Sequence, residues 1–209
     1  SVGCVFASDE EIGGSTTKHM VSLGYAQPKK AVIVLDAGGM SSNITYSCKG
    51  NAYYKVTAEG KSGHSSRPDR CINPHYILAE AMLRIRDAYP HQKPGEWGNV
   101  ASVTIISGGD SQNRIPETSS MTVNVRFTEE NGLERERERI ERITGLKTEL
   151  IRGTPAASCD PESPELQRIQ ACVRRFYPSR PAALVRGIAA NDMRYFPQFG
   201  KPLCALSMN

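Results

Sequence analysis

The run Ser8-Asp9-Glu10-Glu11-Ile12-Gly13-Gly14 sets three consecutive acids where an apolar stretch meets a glycine turn. The stretch before it, Val2 to Ala7, reads as a short buried strand. Asp9, Glu10 and Glu11 then leave a sheet at its carboxyl end, where open α/β sheets place their ligand crevices. Two neighbouring carboxylates can divide the labour of a hydrolase. One binds a metal while the other moves protons to and from an attacking water. Standing alone, such a run is more simply a solvated acidic loop, so its weight depends on what accompanies it.

Four other segments accompany it. Ala31 to Leu35 is a β-branched apolar run that reads as a buried strand, with Asp36 at its exit before a pair of glycines. Gly60-Lys61-Ser62-Gly63-His64-Ser65-Ser66-Arg67-Pro68 crowds hydrogen-bonding side chains around His64 in a glycine-bracketed turn. A histidine in that polar setting suits a donor to a developing oxyanion. Ser107 to Pro116 forms a loop containing Asn113 between two strand-like runs, with Arg126 on the strand beyond, and Gly187 to Phe196 contains Asn191-Asp192-Met193-Arg194.

The elements that must hold these residues are legible from periodicity. Tyr53 to Glu59 alternates as a strand, and Asn73-Pro74 opens a helix running to about Tyr89. Strands follow at 101–106 and 121–127, then a helix built on Glu134-Arg135-Glu136-Arg137-Glu138-Arg139, then a strand at 146–151. The order β-α-β-β-α-β is the ferredoxin-like arrangement, a four-stranded antiparallel sheet with both helices on one face. The stretch 154–163 reads as a return linker, Ser163-Pro164 starts the next helix, and Pro202 to Leu206 is a further strand.

In this order, the five segments resemble the di-zinc metallopeptidase and amidohydrolase family of carboxypeptidase G, aminoacylase, acetylornithine deacetylase, succinyl-diaminopimelate desuccinylase and the bacterial di- and tripeptidases. The resemblance implies an α+β protein: a ferredoxin-like lid (dimerisation) domain over residues 46–151, inserted in a partial α/β zinc-peptidase catalytic domain over residues 1–45 and 152–209. It implies Glu10 as general base, Glu11 as ligand to one zinc and Asp36 as ligand to the other. His64 would polarise the scissile carbonyl in the partner subunit, and Asn113 and Arg126 would bind the polar and carboxylate ends of the substrate. The cofactor implied is zinc, two ions in the intact enzyme. The family pattern also has a His-x-Asp and a bridging Asp upstream of the glutamate pair and a final His downstream, which these 209 residues lack. The expectation is therefore an incomplete, inactive piece of the enzyme that binds no metal by itself. Asp at position 36 resembles the di- and tripeptidase branch, so short peptides are the expected substrates, with N-acyl amino acids next. A purely non-catalytic dimerisation or interaction module is the alternative.

Composition excludes other classes. Of 209 residues, 39% are hydrophobic and 23% charged, with a net charge of +4, which suits a soluble globular protein and lacks a basic patch for nucleic acid. The Glu/Arg run alternates in sign and reads as a solvated helix face with Leu133, Ile140 and Ile143 as its apolar stripe. The six cysteines show no Cys-x-x-Cys spacing, Cys4 and Cys204 fall on strands read as buried, and a reduced cytoplasmic setting is expected. No apolar run is long enough to cross a membrane. The expected partners are a small peptide or N-acyl amino acid and a second copy of the chain.

Overall fold

The computed structural model describes residues 2–10, 14–36, 43–91, 93, 96–128, 132–179 and 181–206. They divide into two compact units, one of residues 1–50 and 156–209 and the other of residues 51–155.

The inserted unit follows from two alternating strands and two helices. β3 (Gly50–Glu59) buries Ala52, Tyr54, Val56 and Ala58, and β7 (Thr118–Phe127) buries Met121, Val123, Val125 and Phe127. That period of two gives each strand one apolar face. With β5 (Val100–Gly108) and β8 (Lys147–Thr154) they form a four-stranded sheet in the order β5-β7-β3-β8. The β5–β7 and β3–β8 pairs are antiparallel. α2 (Pro74–Ala88) packs on β5 and β7, and α3 (Gly132–Thr144) packs on α2 and β8. The chain order β3-α2-β5-β7-α3-β8 is the ferredoxin-like arrangement. A short antiparallel pair, β4 (Gly63–His64) and β6 (Arg114–Ile115), stands apart from this sheet. α2 starts where its sequence dictates: Asn73 Oδ1 accepts from the His75 amide at 3.0 Å, and Pro74 occupies the first turn.

α3 departs from its expected solvated face. The residues it buries are Gly132, Glu136, Ile140 and Thr144, so one glutamate of the run points inward. Glu136 accepts from Tyr89 Oη and Asn99 Nδ2, each at 2.6 Å, with Arg139 at 3.8 Å. Three partners are what a buried carboxylate needs to offset its lost hydration. The neighbouring charges pair outside, Arg137 with Glu134 and Glu141, each at 2.6 Å.

The other unit is built on a mixed sheet of β1 (Val32–Val34), β11 (Leu203–Leu206), β2 (Ile44–Cys48) and β10 (Leu184–Gly187), with β9 (Ala157–Ser158) also on β2. β1 runs parallel to β11 and β10 parallel to β2, whereas β11 and β9 run antiparallel to β2. α4 (Pro164–Phe176) lays Leu166 against Ile44 and Cys204, and α1 (Ser15–Ser22) buries Thr17 and Val21.

Three expectations change here. Val2 to Ala7 forms no strand, Phe6 is 91% exposed and Cys4 is exposed, because no described strand pairs with this run. The 31–35 run shortens to β1, a sheet edge with Ile33 and Leu35 half exposed, since nothing described covers its second face. Ala157 and Ser158, within the supposed linker, instead pair with Cys48 and Ser47.

Candidate active site

The acidic turn and the Asn-Asp-Met-Arg segment meet in one buried polar cluster. Asp9 organises the start of α1: its carbonyl accepts from the Gly14 amide at 2.8 Å, and its Oδ2 accepts from Ser15 Oγ at 2.7 Å and the Thr16 amide at 2.9 Å. These bonds, Ser15's first, hold its carboxyl below the usual carboxylate range. Gly14 lies at φ +63°, and a Cβ there would come 2.5 Å from Asp192 Oδ1 and 2.9 Å from Arg194 Nη2. Glycine is thus what lets α1 begin against these two side chains.

Asp192 and Arg194 sit on a single 3₁₀ turn, Asp192–Tyr195, started by Asn191, whose Oδ1 accepts from the Met193 amide at 3.0 Å. Thr17 Oγ1 donates to Asp192 Oδ2. Arg194, only 7% exposed, lies 3.4 Å from Asp192 Oδ1 through Nη2 and 3.4 Å from Glu10 Oε1 through Nη1. Burial pushes the Asp192 carboxyl above its ordinary value. The Thr17 hydrogen bond and Arg194 pull it back, while Asp36 and Asp9 add to the rise. Asp36 is itself exposed and joined to the turn through its carbonyl, which accepts from Asn191 Nδ2 at 3.4 Å. Thr17, Asp192, Arg194 and Glu10 thus form a continuous chain that holds one glutamate.

The structure therefore brings Glu10 and Asp36 into one neighbourhood, and Glu11 lies outside the described residues. Two buried carboxylate oxygens, Asp9 Oδ1 and Asp192 Oδ1, have no hydrogen-bond partner among the described residues and are acceptors of the kind a cation satisfies, though the second already faces the Arg194 guanidinium at 3.4 Å. Yet among the described residues no three His, Cys, Asp or Glu side chains converge on a point that could hold a metal ion. The described residues by themselves do not fit a zinc centre.

In the inserted unit, β4 and β6 present His64 opposite Arg114. The Ser66 amide donates to His64 Nδ1 at 3.2 Å, with Ser66 Oγ at 2.8 Å. An amide only donates, so Nδ1 is an acceptor and the neutral ring carries its proton on Nε2, the nitrogen an oxyanion donor needs. Asn113 is close by: its carbonyl accepts from the Ser65 amide at 2.9 Å and its Oδ1 from Ser111 Oγ at 2.8 Å, leaving Nδ2 as a donor. Arg126 is elsewhere. It pairs across from Val100 near the far end of β7, beside Tyr53 and Arg152. Eight strand residues separate Thr118 from Arg126, about 27 Å at about 3.4 Å each. One short substrate cannot touch both Asn113 and Arg126 of the same chain.

Sequence reasoning picked out Asn191 to Arg194 as one of its five segments but gave Asp192 and Arg194 no individual role, and it passed over Thr17, a helix residue with no local signal.

A mixed-sheet unit, with Asp36 just past the end of β1, is thus interrupted by a ferredoxin-like insertion. Residues 46–149 match the family model described as the peptidase dimerisation domain, and this segment of the chain belongs to that family. It is similar to the N-acetyldiaminopimelate deacetylase of Leuconostoc mesenteroides, 29% identical over 109 residues covering 52% of this chain and 28% of that protein. It is also similar to the succinyl-diaminopimelate desuccinylase of Wolinella succinogenes, 25% identical over 198 residues covering 88% of this chain and 52% of that protein. Among solved structures, aminopeptidase PepT from Bacillus cereus shares the fold with a TM-score of 0.76 at 15% identity, over 96% of this chain and 54% of that one. The chain thus spans about half, or less, of the length of the relatives it matches. Members of the family are in general metal-dependent peptidases. Among the described residues no helix is long and apolar enough to cross a membrane.

Proposed function

We propose that this chain carries the lid and part of the catalytic half of a zinc-dependent, cytoplasmic, homodimeric hydrolase that cleaves amide bonds in short peptides or N-acyl amino acids. The observation that carries this reading is the Thr17–Asp192–Arg194–Glu10 chain, which fixes one glutamate, a quarter exposed, against the buried Asp192–Arg194 pair. Glu10 is the general base: it takes a proton from the attacking water and returns it to the leaving amine. His64 donates from Nε2 to the tetrahedral oxyanion in the site of a second copy, with Asn113 Nδ2 beside it on the substrate's polar end. Arg126, at the far end of β7, meets the carboxylate end of a substrate bound at a different site from the one Asn113 serves. Glu11 and Asp36 are the proposed ligands for two zinc ions. Since the described residues do not form a metal-holding group, further ligands are required, and no step is derived through the metal. The ferredoxin-like unit, residues 46–151, is the proposed lid and dimerisation domain, and residues 1–45 and 152–209 the catalytic part.

A second reading, a dimerisation or interaction module without catalysis, is favoured by one feature: Glu10 is ion-paired to Arg194 at 3.4 Å. Elemental analysis after zinc loading, with peptide hydrolysis measured in parallel, separates the two. It is done on this 209-residue chain and on any longer natural form carrying it. Zinc and turnover in the longer form, with neither in the 209 residues, supports the hydrolase. No zinc in either leaves the interaction module. In an active form, His64→Ala should lower kcat about 10²–10³-fold with little change in KM, the usual cost of an oxyanion donor.

A further inference from the structure

Within the lid unit a cavity of about 520 Å³ opens beside His64, lined among others by Ser65, Asn73, His75, Asp110 and Arg114. That volume lies in the range of small-ligand sites, about 300–1,000 Å³. The β4–β6 register sets His64 directly opposite Arg114. Such cross-strand neighbours have Cβ atoms about 5 Å apart. A group seated in the cavity is therefore adjacent to whatever His64 touches.

The ring of His75 is fixed in a defined state. Ser119 Oγ donates to the Ser107 carbonyl at 3.1 Å. A carbonyl can only accept, so the single proton of Ser119 is committed. The 3.0 Å contact between Ser119 Oγ and His75 Nδ1 must then be donated by the ring. The neutral ring accordingly carries its proton on Nδ1 and a lone pair on Nε2, the opposite tautomer to His64. Gly109 borders that nitrogen, its ideal Cβ position lying 3.6 Å from Nε2. A Cβ on Gly108 would stand 2.8 Å from His75 Cε1 and 2.7 Å from Ser119 Oγ, so glycine is what lets the end of β5 close under the ring. In the same lining, Asp110 Oδ2 takes Arg114 Nη2 at 2.8 Å, which occupies the arginine's charge and leaves the second carboxylate oxygen as an acceptor. The cavity thus offers two acceptors, His75 Nε2 and Asp110 Oδ1, beside the ion-paired Arg114.

We propose that His75 is a specificity-determining residue that accepts a hydrogen bond from the free amino terminus of a short peptide, with the second carboxylate oxygen of Asp110 as a further acceptor. This rests on the hydrolase reading above and narrows its substrate class. An ammonium is a donor-only group and matches two acceptors, whereas an acylated terminus adds a carbonyl oxygen that faces a lone pair. Ser119 is a positioning residue that holds the tautomer.

The test uses the 209-residue protein labelled with ¹⁵N-histidine, whose ring nitrogen shifts read each tautomer directly. Triglycine and N-acetyl-triglycine, which differ only at the amino end, are the two probes. The expected result is a lone-pair Nε2 on His75, perturbed by triglycine and unmoved by the acetylated peptide, with His64 perturbed by both. His75→Phe should weaken triglycine binding about tenfold, the worth of one hydrogen bond to a charged group, and leave the acetylated peptide unchanged. Ser119→Ala should release the His75 tautomer into a mixture. Equal perturbation of His75 by both peptides, or a proton on its Nε2 in the free protein, overturns the proposal. Perturbation of His64 alone overturns it while leaving the hydrolase reading standing. No perturbation of either ring also overturns the proposal, and the hydrolase reading is then decided by the zinc and turnover measurements on the longer form. Because the tautomer and perturbation readings need no substitution, they decide the matter even if His75→Phe fails to fold.

Discussion

Replacing Arg194 with methionine tests whether the buried cluster is held by charge or by packing. Methionine keeps the apolar stem of the side chain and removes the guanidinium. It leaves Asp192, 8% exposed, with Thr17 as its one neutral donor and with Asp36 and Asp9 nearby. Stripping one partner from a buried ion pair costs about 3–5 kcal/mol. In a domain of this size that is a fall in Tm of about 6–20 °C, at about 2–4 °C per kcal/mol. The pH dependence is the sharper signature. The folded-state pKa of Asp192 is already raised, chiefly by burial. A carboxyl raised above its unfolded value contributes stability that is present below the unfolded pKa and is lost as pH rises through the folded one. Arg194 opposes that rise, so its removal lifts the folded pKa further and enlarges the loss toward neutral pH. The deficit of Arg194→Met relative to the parent, measured by urea unfolding, should therefore be largest at pH 7. It should shrink by about 1 kcal/mol or more at pH 4.5, since one pKa unit is about 1.4 kcal/mol. Adding Asp192→Asn, which keeps an acceptor for Thr17, should recover most of the deficit. An equal loss at both pH values with no recovery in the double variant would refute the charge argument and leave Arg194 as a packing residue.

Gly14→Ala should cost about 2 kcal/mol or more, because it combines a left-handed backbone with a Cβ pressed on Asp192 and Arg194; a Tm within a degree of the parent would contradict this. Tyr89→Phe removes the 2.6 Å donor to Glu136 and should cost about 1–2 kcal/mol in denaturant unfolding. The phenols of Tyr54 and Tyr89, both pushed up chiefly by burial, should stay un-ionised in an ultraviolet alkaline titration until the fold opens. With Ellman's reagent, exposed Cys4 and Cys172 should react promptly, while buried Cys48 and Cys204, the latter pushed up to about 12, should react only in urea.

What the sequence made legible is what local chemistry dictates. The start of α2 rests on Asn73 and Pro74, both within its own first turn, and β3 and β7 declare themselves by alternation. The elements that diverged depend on distant partners. Val2 to Ala7 has the apolar content of a strand, but a strand exists only where another pairs with it. β9 is two residues long, too short for any periodicity, and is created by Ser47 and Cys48 more than a hundred positions earlier. Glu136 sits in a run whose alternating signs suggest water on every side, and only Tyr89 and Asn99, from other elements, turn it inward. The site shows the same division. Glu10, Asp36 and His64 stand out by type and by their glycine-flanked settings. Asp192 and Arg194 acquire a role only when the fold brings Thr17 and Glu10 against them.

The lid leaves and re-enters its host through a doorway one ladder rung wide. On one side Cys48 pairs with Ala157, and on the other Asn51 pairs with Thr154, so both crossings fall within a few residues of each other. Everything from Gly50 to Pro155 is therefore, in topological terms, a cassette clipped into a hairpin. A turn of a few residues in its place would leave β2 and β9 still neighbours, and the mixed sheet would keep every strand partner it has.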